Sequence, residues 1–109
     1  MLLAACGSDT PPPTELLGNW RGAAWMVEGT LTDRDAGAVL FRFDDQYNYE
    51  ASYGDQEEAG TYSVEGDKLY TNAAGQMKKM VKIVKLTADT LEMEMNRAGT
   101  KENLVLVRE

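Results

Sequence analysis

The sequence predicts an all-β domain, built as a closed barrel of eight antiparallel strands in up-and-down order. From Glu15 onward, apolar residues recur with a period of two, which is typical of strands with one buried face. Helical periodicity is sparse, and turn-forming residues divide the chain into short segments. Closing such strands into a barrel removes the exposed edges of a flat sheet. A β-sandwich is the alternative, but it needs a long crossing connection, for which only residues 29–37 are available.

The first predicted strand ends near Val27, where turn-forming residues begin. In a strict alternation Trp20 and Met26 share its inner face, and Trp25 falls on the opposite face. Trp25 therefore lies either on the outer wall, within a contact patch, or under the loop of residues 29–37. The sequence leaves both positions open.

Strands two and three are predicted to form an aromatic hairpin. Its turn lies at residues 44–46, which are two aspartates and a glutamine. The alternating apolar residues are Val39, Phe41 and Phe43 in strand two, and Tyr47, Tyr49, Ala51 and Tyr53 in strand three. Their shared parity places these side chains on one face of the hairpin.

Turn residues also separate the remaining five strands. Strand four contains Tyr62 and Val64, and the last four strands are predicted at Lys68–Thr71, Met77–Leu86, Leu91–Asn96 and Asn103–Arg108. The sixth strand is the least regular, because its apolar residues fall on both faces. One set is Met80, Val84 and Leu86, and the other is Val81 and Ile83. A β-bulge would reconcile the two sets.

Composition excludes several functions. The net charge of −7 and the lack of a broad basic cluster disfavour binding to nucleic acid or to an anionic bilayer. The local basic run is Lys78, Lys79, Lys82 and Lys85. Its alternation with apolar residues indicates the solvated outer face of a strand, with lipid headgroups or peptidoglycan as the alternative contact.

The chain has no histidine, and this removes the commonest general base and the commonest zinc ligand. We therefore expect no enzymatic activity, no metal and no cofactor. Four methionines offer soft ligands for copper(I), but core filling is the preferred interpretation because neither histidine nor a free cysteine accompanies them. They are Met77, Met80, Met93 and Met95.

The N-terminus resembles a bacterial lipoprotein signal. Leu3-Ala4-Ala5-Cys6 matches a signal peptidase II site, which makes Cys6 the predicted lipidation site. Residues 1–5 are then a truncated signal remnant, because a charged region and an apolar stretch are missing and the natural start is expected further upstream. Residues 6–14 form a Pro-rich tether, and residues 15–109 form the barrel. Gly7, in place of an aspartate, favours anchoring in the outer membrane.

Short motifs along the predicted barrel resemble those of the small lipocalin-like lipoproteins of Bacteroidota. The motifs are Leu17-Gly18-Asn19-Trp20, Gly60-Thr61-Tyr62, Leu86-Thr87-Ala88-Asp89-Thr90-Leu91 and a closing Arg108. This resemblance implies structural roles for Gly18, Trp20 and Arg108. Trp20 would plug the narrow end of the barrel, and the Arg108 guanidinium would stack on its ring in a cation–π contact.

The resemblance implies a monomeric envelope protein that binds a small hydrophobic ligand inside the barrel. The predicted ligand-binding residues are Met26, Phe41, Phe43, Tyr49, Tyr62, Met93 and Met95. The alternative is a barrel filled by its own side chains, which contacts another envelope protein as an inhibitor or assembly module. Cavity volume distinguishes the two, because ligand pockets occupy at least roughly 300 Å³.

Overall fold

A computed structural model describes residues 13–32 and 35–109, which form a barrel of eight strands. The strands are β1 (Gly18–Val27), β2 (Val39–Phe43), β3 (Asn48–Tyr53), β4 (Gln56–Glu65), β5 (Lys68–Ala73), β6 (Lys79–Leu86), β7 (Thr90–Arg97) and β8 (Thr100–Arg108). Short 3₁₀ turns lie at Thr14–Leu16 and Ala36–Ala38, and a two-residue strand, Thr30–Leu31, pairs with the end of β1. Cys6 and the predicted tether up to residue 12 lie outside the described residues.

Each barrel strand pairs antiparallel with the next, and β8 pairs with β1 to close the sheet. The predicted eight-stranded up-and-down barrel is confirmed. Alternate connections define two ends. The closed end holds the start of β1, the end of β8 and the connections at residues 44–47, 66–67 and 87–89. The open end holds residues 28–32 and 35–38, between β1 and β2, and the connections at residues 54–55, 74–78 and 98–99. No helix in the described part of the chain is long and apolar enough to cross a membrane.

The aromatic hairpin forms from β2 and β3, with one correction at its turn. Tyr47 was predicted within the strand, but it has a positive φ of 65° and precedes the strand. The Asp44 carboxylate accepts 2.9 Å hydrogen bonds from the backbone N–H groups of Gln46 and Asn48, which stabilises this turn. Strand pairing therefore begins at Asn48.

The predicted bulge of the sixth strand is present between β6 and β7. Ile83 pairs with Met93, but the next paired residue is Lys85, so Val84 is skipped and its side chain is 47% exposed. Val81 and Ile83 pack against the core before the bulge, and Leu86 does so after it. The extra residue changes the parity, so Val81 and Ile83 before the bulge and Leu86 after it all face inward, whereas Met80 and Val84 remain exposed.

A second bulge, in β1, overturns the predicted inner face of the first strand. Val105 pairs with Ala24, but Leu106 pairs with Gly22, so Ala23 has no partner in β8. The parity changes there, and Trp25 stands opposite the buried Leu104 on the inner face. Met26 stands opposite Asn103 on the outer face. The prediction that Met26 faces inward is therefore wrong, and so is the expectation that Trp25 lies on the face opposite Trp20.

Candidate functional site

The closed end is plugged by Trp20, whose side chain is fully buried. Its indole Nε1 donates a 2.9 Å hydrogen bond to the backbone carbonyl of Leu16, which is itself fully buried. The Arg108 guanidinium carbon lies 4.3 Å from the centroid of the Trp20 ring. This is the stacked cation–π geometry that the family resemblance implied, and it joins the start of β1 to the end of β8.

Arg108 also donates hydrogen bonds to three backbone carbonyls at the closed end. Its Nη1 binds Leu17 O at 2.5 Å, its Nε binds Ala88 O at 2.6 Å, and its Nη2 binds Glu15 O. Gly18 leaves room for this fan of bonds, because a Cβ at that position would lie 2.7 Å from Arg108 Nη1. Its φ of 116° is also a conformation that residues with a side chain rarely adopt.

Next to this plug, three of the predicted ligand-binding residues form a packed aromatic core. Phe43, Tyr49 and Tyr62 are each at most 3% exposed. The Phe43 and Tyr62 rings meet edge to face at 5.1 Å, and the Phe43 and Tyr49 rings stack at 6.4 Å. These side chains fill the closed half of the barrel and leave no room for a ligand among themselves.

The two core tyrosines keep their hydroxyl groups bonded. Tyr62 Oη donates to Asp44 O at 2.7 Å, and Tyr49 Oη donates to Glu58 Oε2 at 2.6 Å. Burial, followed by the nearby Asp44 carboxylate, raises the pKa of Tyr62 to about 12. Burial and the bond to Glu58 raise the pKa of Tyr49 as well, whereas two backbone N–H donors lower the pKa of Asp44. Both tyrosines therefore stay protonated at neutral pH.

The open half of the barrel encloses a cavity of about 570 Å³. Its interior wall consists of Trp25, Phe41, Tyr53, Glu58, Leu69, Thr71, Val81, Met93, Met95 and Leu104. Its mouth consists of the exposed lining residues Gln56, Gln76, Lys79, Met80 and Asn96. A second depression, on the surface of the closed end beside Arg42 and Glu50, measures only about 140 Å³. The cavity is thus the place where the described residues can enclose a small molecule.

One acid and one base are among the residues that line the cavity, and they pair with each other. Lys79 Nζ lies 3.4 Å from Glu58 Oε1. The other carboxylate oxygen of Glu58 accepts the hydrogen bond from Tyr49. The Glu58 side chain is 10% exposed and that of Lys79 is 52% exposed, so the carboxylate lies behind the ammonium group.

The structure separates the predicted ligand-binding residues into three groups. Phe41, Met93 and Met95 line the cavity; Phe43, Tyr49 and Tyr62 fill the core; Met26 faces outward. Trp25 was missed as a lining residue. Its Nε1 donates a 2.8 Å hydrogen bond to the carboxylate of Glu102. Glu102 faces the barrel interior and is only 5% exposed. In the sequence, Glu102 alternates with Leu104 and Leu106 and therefore falls on the inner face of the last strand. A glutamate at such a position indicates that a polar partner lies inside the barrel.

Comparison with known proteins agrees with this geometry. The profile of the lipocalin-like domain matches residues 16–93, which span most of the barrel. The chain belongs to the lipocalin-like domain family. The match covers the plug residues Gly18 and Trp20 and most of the cavity wall. Domains with this fold are typically binding proteins rather than enzymes.

Two solved structures share the fold of this lipocalin-like domain. A lipocalin-like protein from Bacteroides uniformis is 19% identical, with a TM-score of 0.66, and the match covers 87% of this chain and 99% of that one. An uncharacterized protein from Bacteroides eggerthii is 12% identical, with a TM-score of 0.67 and coverage of 86% and 99%. No curated protein matches the chain.

Proposed function

We propose that this lipocalin-like domain binds a small apolar ligand in the open half of its barrel. The main support is the cavity of about 570 Å³, which is larger than the lower limit of roughly 300 Å³ for typical ligand pockets. The alternative of a barrel filled by its own side chains fits only the closed half. There the aromatic core occupies the interior.

Binding would be driven by burial rather than by chemistry. Each square ångström of apolar ligand surface removed from water contributes about 25 cal/mol. Met93 and Met95 suit this task, because unbranched thioether side chains adapt to ligands of different shape. Trp25 on β1 and Phe41 on β2 add flat apolar surface to the same cavity wall. The polar pair of Glu58 and Lys79 supplies an orienting group.

A fluorescence assay with a neutral apolar probe, N-phenyl-1-naphthylamine, tests the location of the site. Met95→Trp fills part of the cavity and should weaken probe binding about tenfold. Met26→Trp is the matched control, because it makes the same change on the outer face of β1. If both variants bind the probe as the parent does, the cavity is not the site.

Native mass spectrometry of the protein purified from its own host identifies the natural occupant. A small molecule released on denaturation supports the ligand proposal. A co-purifying envelope protein, combined with no probe binding in the cavity, would instead establish the interaction or inhibitor module that the sequence also allowed. The same spectra report whether the protein is a monomer, as we propose.

We also propose that Cys6 carries a lipid that anchors the protein in the bacterial envelope, at the outer membrane. The support is the Leu3-Ala4-Ala5-Cys6 sequence and the Pro-rich segment that follows it. Expressed in its natural host, the Cys6→Ala precursor should fold but remain unprocessed and incorporate no labelled fatty acid. Lipid incorporation into that variant would contradict the proposed anchor.

A further inference from the structure

Lys79 lies on the inner face of the barrel, although its sequence neighbourhood indicated an outer face. It pairs in register with Thr71, and Thr71 pairs with the buried Tyr62. Directly opposed residues in antiparallel strands share a face, so the Lys79 side chain belongs to the cavity side of β6. Lys82, further along β6, pairs with Lys68 and is exposed. The basic run is therefore divided between two faces.

The mouth of the cavity combines this lysine with exposed apolar side chains. Met80 is 51% exposed and lines the mouth beside Lys79, and Met77, which is 86% exposed, lies in the connection that leads into β6. Such exposed apolar groups next to a cation suit a molecule that has an apolar tail and a polar head. The tail would enter the cavity, and the head would stay at the mouth, in contact with water.

The geometry of the ion pair decides the sign of the head group. Glu58 is 10% exposed, and both of its oxygens accept hydrogen bonds, from Tyr49 and from Lys79. Lys79 is half-exposed, and its ammonium group has three donors, of which the pair with Glu58 uses one at 3.4 Å. An anionic head can accept from Lys79 while Tyr49 continues to hold Glu58. A cationic head would have to displace Lys79 to reach the carboxylate.

We propose that the cavity selects amphiphiles with an anionic head group, which Lys79 binds at the mouth. This inference rests on the proposed function, since it names the ligand class of the same site. It also gives the inward lysine and the exposed Met80 beside it a common role. Dodecanoate, dodecanol and dodecylammonium, which share one chain length and differ in head charge, distinguish the possibilities.

The test measures how each compound displaces N-phenyl-1-naphthylamine from the full 109-residue chain, below the concentration at which micelles form. Dodecanoate should bind about fivefold more tightly than dodecanol, as expected for one partly exposed charge-assisted contact. Lys79→Gln should abolish this preference by weakening dodecanoate binding about fivefold, and urea denaturation of the variant verifies that it is folded. Lys82→Gln removes the same charge from the outer face and should retain the preference.

Glu58→Gln sharpens the assignment, because it frees Lys79 from its competing partner and should increase the affinity for dodecanoate. Equal binding of the three compounds, with no effect of Lys79→Gln, would overturn the anionic selection and leave the apolar-ligand function intact. A preference for dodecylammonium that Glu58→Gln abolishes would reverse the sign. Failure of all three compounds and of the probe to bind would overturn the proposed function itself.

Discussion

Two tryptophans on β1 mark the contrast between the ends of this barrel. Trp20, at the closed end, is fully buried, bonded through its indole nitrogen to Leu16 O and covered by the Arg108 guanidinium. Trp25, towards the open end, is only partly buried and lines the cavity. The same residue type on the same strand therefore closes the structure at one end and lines open space at the other.

The difference follows from what surrounds each ring. At the closed end the N-terminal turn, the last strand and the aromatic core meet, so every direction around Trp20 is occupied by protein. At the open end the wall residues face each other across about 570 Å³ of space. We therefore expect the closed end to carry more of the fold's stability and the open end to carry binding.

Exchanging each tryptophan for alanine is the strongest test of this contrast. Trp20→Ala should lower the free energy of unfolding by about 4 kcal/mol, because it leaves a cavity in a filled region and removes the bond to Leu16 O. Trp25→Ala should lower the free energy of unfolding by about half as much and should change probe binding in the cavity. Urea denaturation measures both. Equal costs would contradict the division between the two ends.

Two glycines with positive φ give a smaller effect of the same kind. Gly18→Ala should destabilise the fold by about 2–3 kcal/mol, since the backbone is strained and the new Cβ meets Arg108 Nη1 at 2.7 Å. Gly29→Ala, at the open end, should cost about 1 kcal/mol, because its φ is 81° and nothing lies within 4 Å of the new Cβ. Thermal unfolding of the two variants compares the crowding at each end.

A third expected effect is an alkaline weakening of the closed half. The pKa of Tyr62 is raised from 10.0 to about 12, so its contribution is complete below pH 10 and is lost as the pH rises towards 12. The free energy of unfolding should fall there by at most about 1.4 kcal/mol per pH unit for this proton. Tyr62→Phe, measured by urea denaturation across the same range, should show a shallower slope. An unchanged slope would assign the loss to other groups.

The hairpin and the last two strands illustrate what could be predicted from the sequence. Phe41, Met93 and Met95 face the barrel interior, as their alternation predicts, because β2–β3 and β7–β8 pair without a register shift. The stack of Trp20 and Arg108 obeys the same rule, since these two residues pair with each other between the closed end and the bulge of β1. Regular pairing preserves the parity that sequence patterns report.

The sequence by itself determined the fold class and most strand positions, because these depend on local alternation and turn chemistry, and the family resemblance implied the contact of Trp20 with Arg108. Tertiary structure decided the remainder. The bulge at Ala23 exchanged the faces of Trp25 and Met26, and it depends on how β8 pairs with β1. Alternation also predicts which face a side chain takes but not its height in the barrel. Whether Tyr49 fills the core or Met95 borders empty space is therefore settled only when all eight strands pack together.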